Sequence, residues 1–327
     1  MLHVAGSPRP QTLEDLLGKD LAARLDRMDV LTSKMFAGKL PGERRSKRRG
    51  RSVEFDDFRD YIPGDDLRHV DWNVLARLDK LFIKLFREDE DLSVQVFVDG
   101  SRSMESGDPS KLLFACRVAM AVAYVGLVNQ NRVSAVSYVP HGSPAVRRLA
   151  ATRGRAGIRR VARFLIDTMN AKPGDGVEPA SVTDFNAALR IAATSRTGRG
   201  IMVVLSDFLV PGECSRGLDA LAGSSTGIAG FDTTCIQVVT PAERDPRSDR
   251  TGALAGDVRL IDAETGRSVD LTLSPTVVAK YKERFESHSS LLRAQCRGRG
   301  ISFLRADSDT PVDRFVTDTL RSGGLLR

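Results

Sequence analysis

Val94-Gln95-Val96-Phe97-Val98-Asp99-Gly100-Ser101-Arg102-Ser103-Met104 joins an apolar run to a polar corner. Val94, Val96, Phe97 and Val98 are β-branched or aromatic and nearly continuous, the pattern of a strand buried on both faces of a parallel sheet. Asp99, Ser101 and Ser103 then set oxygen-bearing side chains on alternate positions of the following turn. That turn lies at the strand's carboxyl end, the edge where open α/β sheets bind ligands. Hard oxygen donors on a tight turn suit Mg²⁺ or Mn²⁺ better than a softer metal. Asp and Ser also cap helices and close turns, so this reading needs support from elsewhere in the chain.

Support comes from two further segments. Ile201-Met202-Val203-Val204-Leu205 is the most strand-like run in the chain, and it ends at Ser206-Asp207, again delivering an acid to a strand's carboxyl end. Thr183-Asp184-Phe185-Asn186-Ala187-Ala188-Leu189 opens a predicted helix. In a doubly wound sheet these places converge on one edge. Asp99, Ser101, Ser103, Thr183 and Asp207 then offer hydroxyls and carboxylates enough for one octahedral Mg²⁺, with a position left for water or a partner's carboxylate.

The rest of the chain alternates strand and helix. A polar turn, Glu88 to Asp91, links the strand Leu81–Phe86 to the Asp99 strand, and so short a link predicts antiparallel pairing. Asp108-Pro109 reads as a helix start, opening a nearly all-apolar helix from Leu112 to Leu127. Strands at 133–139 and 145–149, a basic amphipathic helix at 154–169 and a strand at 232–239 follow. Two short runs, 258–261 and 269–273, surround a glycine turn and predict a hairpin. A long helix from Pro275, a strand at 301–304 and a closing helix at 312–320 complete the order. Alternation of this kind predicts an α/β fold with a doubly wound, mostly parallel sheet covered on both faces. At the N-terminus, Leu13, Leu16, Leu17, Leu21, Leu25, Met28 and Leu31 form one apolar stripe, predicting a helix over 12–39 that packs on the body of the protein.

The chain has 327 residues and a formal net charge of +7. Residues 43–51 alone hold six basic residues against one acidic, a local +5 that leaves +2 for the remainder. No aromatic residues interleave with Arg44 to Arg51, so nucleic-acid binding ranks behind a solvated loop. No apolar run reaches the ~20 residues that span a bilayer. Pro8, Pro10, Glu14 and Asp15 interrupt the place where a signal peptide needs an apolar core, so a cytoplasmic protein is expected. Cys116, Cys214, Cys235 and Cys296 share no Cys-x-x-Cys spacing, which excludes the common zinc and redox motifs. The absence of Gly-x-x-x-x-Gly-Lys-Ser/Thr predicts no nucleotide hydrolysis by the chain itself.

Arg59, Tyr61, Asp65, Asp66, Arg68, Asp71, Trp72 and Arg77 crowd charge around the single tryptophan. An ion-pair network holding a small module together is the plainer reading. A docking surface with an aromatic anchor is the functional one.

Two resemblances rest on these residues. Asp99-x-Ser101-x-Ser103, Thr183 before Ala188-Leu189, and Asp207 after an apolar strand resemble the metal-ion-dependent adhesion site of von Willebrand factor A domains. By that resemblance Ser101 and Ser103 bind the metal directly, Thr183 directly or through water, and Asp99 and Asp207 mainly through water. The family usually has Thr and Gly where this chain has Ser206 and Phe208, which leaves the shape of the third loop open. Arg59-x-Tyr61-x-Pro63-Gly64-Asp65-Asp66-x-Arg68-x-x-Asp71-Trp72, with Ala76-Arg77 beyond, resembles the signature of the bacterial family named domain of unknown function fifty-eight. That family places the signature ahead of a von Willebrand factor A-like domain. Its members are typically encoded beside MoxR-type AAA+ ATPases. The resemblance thus implies a partner for such an ATPase in chaperone-like maturation or assembly of client proteins.

The expected domains are 1–91, holding the N-terminal helix, basic loop and β module, and 92–327, the von Willebrand factor A-like domain. The hairpin within 245–273 is expected to pack on the β module. The expected function is a non-enzymatic, metal-dependent protein-interaction module. Two alternatives stand beside it: a Mg²⁺-dependent phosphohydrolase with Asp99 as nucleophile, and nucleic-acid binding through 44–51. Ser101 argues against the first, since such enzymes commonly place a general acid two residues after the nucleophile.

Overall fold

The computed structural model describes residues 9–30, 54–62, 70–78, 80–87, 92–140, 144–171, 185–210, 214–223, 231–248, 257–261 and 268–326. Chain contacts divide it into two units, 42–91 and the remainder. In the smaller unit, β1 (Glu54–Asp60) pairs antiparallel with β2 (Phe82–Arg87). A bridge between Val70 and Ile83, both buried, ties the ribbon to the segment leading into the helix Trp72–Leu78.

The larger unit is α/β, built on a mostly parallel six-stranded sheet flanked by helices. Its strands are β3 (Leu92–Asp99), β4 (Arg132–Tyr138), β5 (Val146–Thr152), β6 (Arg199–Ser206), β7 (Phe231–Val239) and β10 (Ser302–Asp307). The spatial order is β10-β7-β6-β3-β4-β5, with only the β4–β5 pair antiparallel. Between them in sequence, β8 (Asp257–Ile261) and β9 (Ser268–Thr272) form a two-stranded antiparallel sheet.

Alternation along the central strands explains why both faces are covered. Val94, Val96 and Val98 enter one apolar cluster with the helices Lys111–Val128 and Gly154–Met169, while Phe97 enters a second with the helix Phe185–Thr194. Ile201, Val203 and Leu205 split from Met202 and Val204 in the same way. Each strand therefore contributes to two cores, and every residue of β3 is buried. Lys111–Val128 is long and apolar enough to cross a membrane by length and composition, and 89% of it is buried inside this fold.

Three details depart from the sequence reading. Both neighbours of β3 are sheet strands, β4 and β6, and β2 pairs with β1 instead. A short link favours antiparallel pairing, but a strand apolar on both faces gains more from burial at a sheet's centre. Secondly, Asp108-Pro109 lies in a turn. The cap is Ser110, whose Oγ accepts from Leu113 N at 3.2 Å, so Lys111 is the first helical residue. Thirdly, the N-terminal stripe breaks at Gly18 (φ 76°) into helices Leu13–Leu17 and Lys19–Leu25. A positive φ costs glycine little and halts a helix. Leu16, Leu17, Leu21 and Leu25 still bury in the same core as Val94. The 31–39 end of that expected helix lies outside the described residues.

Candidate functional site

In spatial order β3 stands between β4 and β6: the chain runs to one side of β3 through β4 and β5, then crosses back to β6 on its other side. A crevice opens at such a reversal, outside the carboxyl ends of the strands. Asp99 ends β3, and Asp207 directly follows β6. The topology thus brings the two acids to one edge.

Asp99 is fully buried. Its Oδ1 accepts from Ser101 N at 2.9 Å and its Oδ2 from Ser206 Oγ at 2.6 Å. Burial raises its pKa to about 7, the charge of Asp207 adds to the rise, and the hydrogen bonds from Ser206 and Ser101 oppose it. Gly100 makes the turn feasible: a Cβ there would lie 3.0 Å from Val139 Cγ2 and 3.1 Å from Tyr138 O.

Ser101 Oγ and Ser103 Oγ are 3.1 Å apart. Neighbouring ligands on an octahedral Mg²⁺, each at 2.0–2.1 Å, are separated by about 2.9 Å. The two hydroxyls, hydrogen-bonded to each other, stand close to that edge length. Ser101 also hydrogen-bonds the Asp99 carboxylate, which is buried beside the charge of Asp207, and the donor set is oxygen throughout. These residues fit a small hard divalent cation. Among the described residues no group of three His, Cys, Asp or Glu side chains forms a metal cluster, so a site here depends on the serine hydroxyls.

Asp207 is buried, with Oδ1 accepting from Leu209 N at 3.0 Å and its carbonyl from Gln237 Nε2 at 3.3 Å. The intervening Phe208 has φ 54°, the left-handed conformation that glycine favours, and its ring is buried edge-on to Phe185 at 6.0 Å between centroids. Phe208 thus makes the turn a glycine would make, with ring burial offsetting the strain. Ser206 Oγ accepts from Phe208 N at 2.9 Å and so braces the same turn.

Lys111 and Glu243 belong to the same cluster and carry no motif. Lys111, wholly buried at the start of its helix, places Nζ 2.7 Å from Asp207 Oδ2 and in contact with Glu243 Oε1. Burial works to lower its pKa, but the charges of Asp207 and Glu243 overcome it and the net shift is upward. Glu243 is fixed by a capping box: Thr240 N donates to its Oε2 at 2.8 Å, while Thr240 Oγ1 accepts from Glu243 N at 3.0 Å. That Thr-x-x-Glu spacing after β7 is the one sequence signal able to place Glu243. On the long helix Pro275–Arg297, burial and the charge of Glu243 push Tyr281 up to about 12, and His288 Nε2 lies 3.2 Å from Phe208 O.

Of the expected metal residues, the structure brings Asp99, Ser101, Ser103 and Asp207 together, and Thr183 lies outside the described residues. Of the expected docking residues, Asp65, Asp66 and Arg68 also lie outside them. Arg59 belongs to β1, opposite Ile83. Tyr61 is half-buried, and its N donates to Leu81 O at 3.0 Å. Asp71 caps a helix, its Oδ1 accepting from Asn73 N at 2.9 Å and Val74 N at 3.2 Å. Trp72 and Arg77 are exposed.

Residues 57–291 match the family model described as "Protein of unknown function DUF58". The chain belongs to that family. This DUF58 chain is 28% identical over 314 residues to the uncharacterised protein Rv1480 of Mycobacterium tuberculosis, covering 94% of this chain and 92% of the relative. It is 30% identical over 178 residues to an uncharacterised protein of Mycobacterium avium, 53% of this chain and 95% of that one. Among solved structures it is similar to the pilus adhesin SpaC of Lactobacillus rhamnosus GG, with TM-score 0.42 and 11% identity over 73% of this chain and 32% of SpaC. It is also similar to a point mutant of the PilB minor pilin of Streptococcus sanguinis, with TM-score 0.39 and 10% identity over 74% and 64% of the two chains.

Proposed function

We propose that this DUF58 chain is a non-enzymatic interaction module whose larger unit is von Willebrand factor A-like and carries a metal-ion-dependent adhesion site. Asp99, Ser101, Ser103, Asp207 and, by resemblance, Thr183 hold Mg²⁺ or Mn²⁺. The open position of the ion takes an Asp or Glu of a partner protein. The observation that carries this reading is the 3.1 Å separation of the Ser101 and Ser103 hydroxyls beside buried Asp99. A cation with one open position gains a strong, directional ligand from a carboxylate.

Both carboxylate oxygens of Asp99 already accept hydrogen bonds, from Ser101 N and Ser206 Oγ. Each oxygen keeps a lone pair, so these bonds brace Asp99 without deciding its role; Ser101, standing where a phosphohydrolase commonly carries its general acid, supports docking over phosphohydrolysis. The partner in this reading is a MoxR-type AAA+ ATPase acting on client proteins in the cytoplasm, and the family resemblance is its only support.

Calorimetry with Mg²⁺ and Mn²⁺ tests the site. Wild type binds, while Asp99→Ala and Ser101→Ala lose at least tenfold in affinity, a change of about 1.4 kcal/mol. No binding by wild type, or equal binding by both variants, overturns the metal site. Capture of a MoxR-type ATPase, lost on adding EDTA, tests the partner separately.

A further inference from the structure

Lys111 poses an electrostatic question that the metal-site reading leaves open. A buried ammonium one hydrogen bond from a candidate cation site raises the local potential and should weaken binding there. Yet Lys111 is fully enclosed, with Nζ held between Asp207 Oδ2 and Glu243 Oε1. Both partners are fixed in turn, Asp207 by Leu209 N and Glu243 by its capping box and Ser106 Oγ at 3.4 Å. The ammonium is therefore built into the site.

Counting formal charges shows what it does. With a cation bound, Asp99 gives up the proton that burial favours in the metal-free protein, so Asp99, Asp207 and Glu243 bring three negative charges to the cluster, and Lys111 cancels one. Arg102 and Glu105 on the following turn are exposed, where water and salt screen them. Among the described residues the enclosed balance is thus two negative charges, the match for a divalent ion.

Resting on the metal-site reading above, we propose that Lys111 sets the charge selectivity of the site, making it a divalent centre and disfavouring trivalent ions. Lys111 is a positioning residue and touches no metal. It holds Asp207 in place and cancels the surplus charge of Glu243. Removing the ammonium leaves three enclosed negative charges, which favour a trivalent ion. Removing the Glu243 charge alone leaves one, which penalises the trivalent ion most.

The test compares Mn²⁺ and Tb³⁺ affinities by calorimetry on the full chain. In Lys111→Met the ratio of Tb³⁺ to Mn²⁺ affinity rises about tenfold or more over wild type. In Lys111→Met with Glu243→Gln it returns to within about threefold of wild type, since Gln keeps the capping box while losing the charge. Glu243→Gln alone lowers the ratio about tenfold, and it decides the matter should Lys111→Met fail to fold. A ratio unmoved in a folded Lys111→Met, unrestored in the double variant, or unmoved in Glu243→Gln overturns the proposal. A purely structural lysine would shift both affinities together. Absence of Mn²⁺ binding by wild type overturns the metal site and this proposal with it, whereas Mn²⁺ binding with an unmoved ratio overturns this proposal alone.

Discussion

Ser206 Oγ donates a 2.6 Å hydrogen bond to Asp99 Oδ2, tying the carboxyl ends of β6 and β3 together. The same hydroxyl accepts from Phe208 N at 2.9 Å, so one side chain braces both acidic loops. Ser206→Ala leaves a buried carboxylate oxygen and a buried N–H unpaired, a loss of about 1–3 kcal/mol. Ser206→Thr keeps the hydroxyl and costs less. Urea denaturation of both variants reads the difference, and equal losses would deny the hydroxyl its bracing role.

Phe208 offers a second measurement. Its φ of 54° strains a residue bearing a Cβ, while its ring is buried against Phe185. Phe208→Ala loses the ring and keeps the strain, at about 3–5 kcal/mol. Phe208→Gly loses the ring and relieves the strain, so it should be about 1 kcal/mol less damaging than Ala. At an ordinary helix or strand position glycine would be the worse of the two, and that order here would contradict the strained turn.

Acid and base should act on the metal-free protein through Asp99. Its pKa is raised from the ordinary 3.8 to about 7 by burial and by Asp207. The folded state therefore holds a proton that the unfolded chain has lost between these values. The contribution is fully present below about pH 4 and is lost as pH rises through 7, on the order of a few kcal/mol. In EDTA, denaturation midpoints fall across that window for wild type, and Asp99→Asn flattens the fall. A wild-type profile that rises instead would mean Asp99 is stabilised as the carboxylate.

Much of this architecture is written locally, and the remainder is not. β6 announces itself through the unbroken apolar run Ile201 to Leu205, and β3 nearly does so through Val94, Val96, Phe97 and Val98, as strands buried on both faces require. Asp99, Ser101 and Ser103 are legible because one tight turn carries them. Lys111, by contrast, meets Asp207 and Glu243 at sequence separations of 96 and 132, and no local rule foretells a buried ammonium at the start of an apolar helix. The choice of neighbours for β3 is likewise non-local, which is why a short link to β2 misleads. Asp71 stands in a dense run of charge, yet its carboxylate caps a helix, a role that only the backbone reveals.

The last prediction separates capping from docking in the smaller unit. Asp71 Oδ1 accepts from two helix N–H groups, so Asp71→Ala costs about 1 kcal/mol of that unit's stability. Trp72 is 60% exposed and follows it directly. Trp72→Ala removes little buried surface and leaves stability within about 0.5 kcal/mol. If Trp72 anchors a partner, the same substitution lowers ATPase capture by tenfold or more, about 1.4 kcal/mol. Thermal denaturation and capture on the two variants make the distinction: Asp71→Ala shifts the melt, and Trp72→Ala shifts only the capture. Unchanged capture in a folded Trp72→Ala variant would reduce the tryptophan to an exposed side chain beside a helix cap.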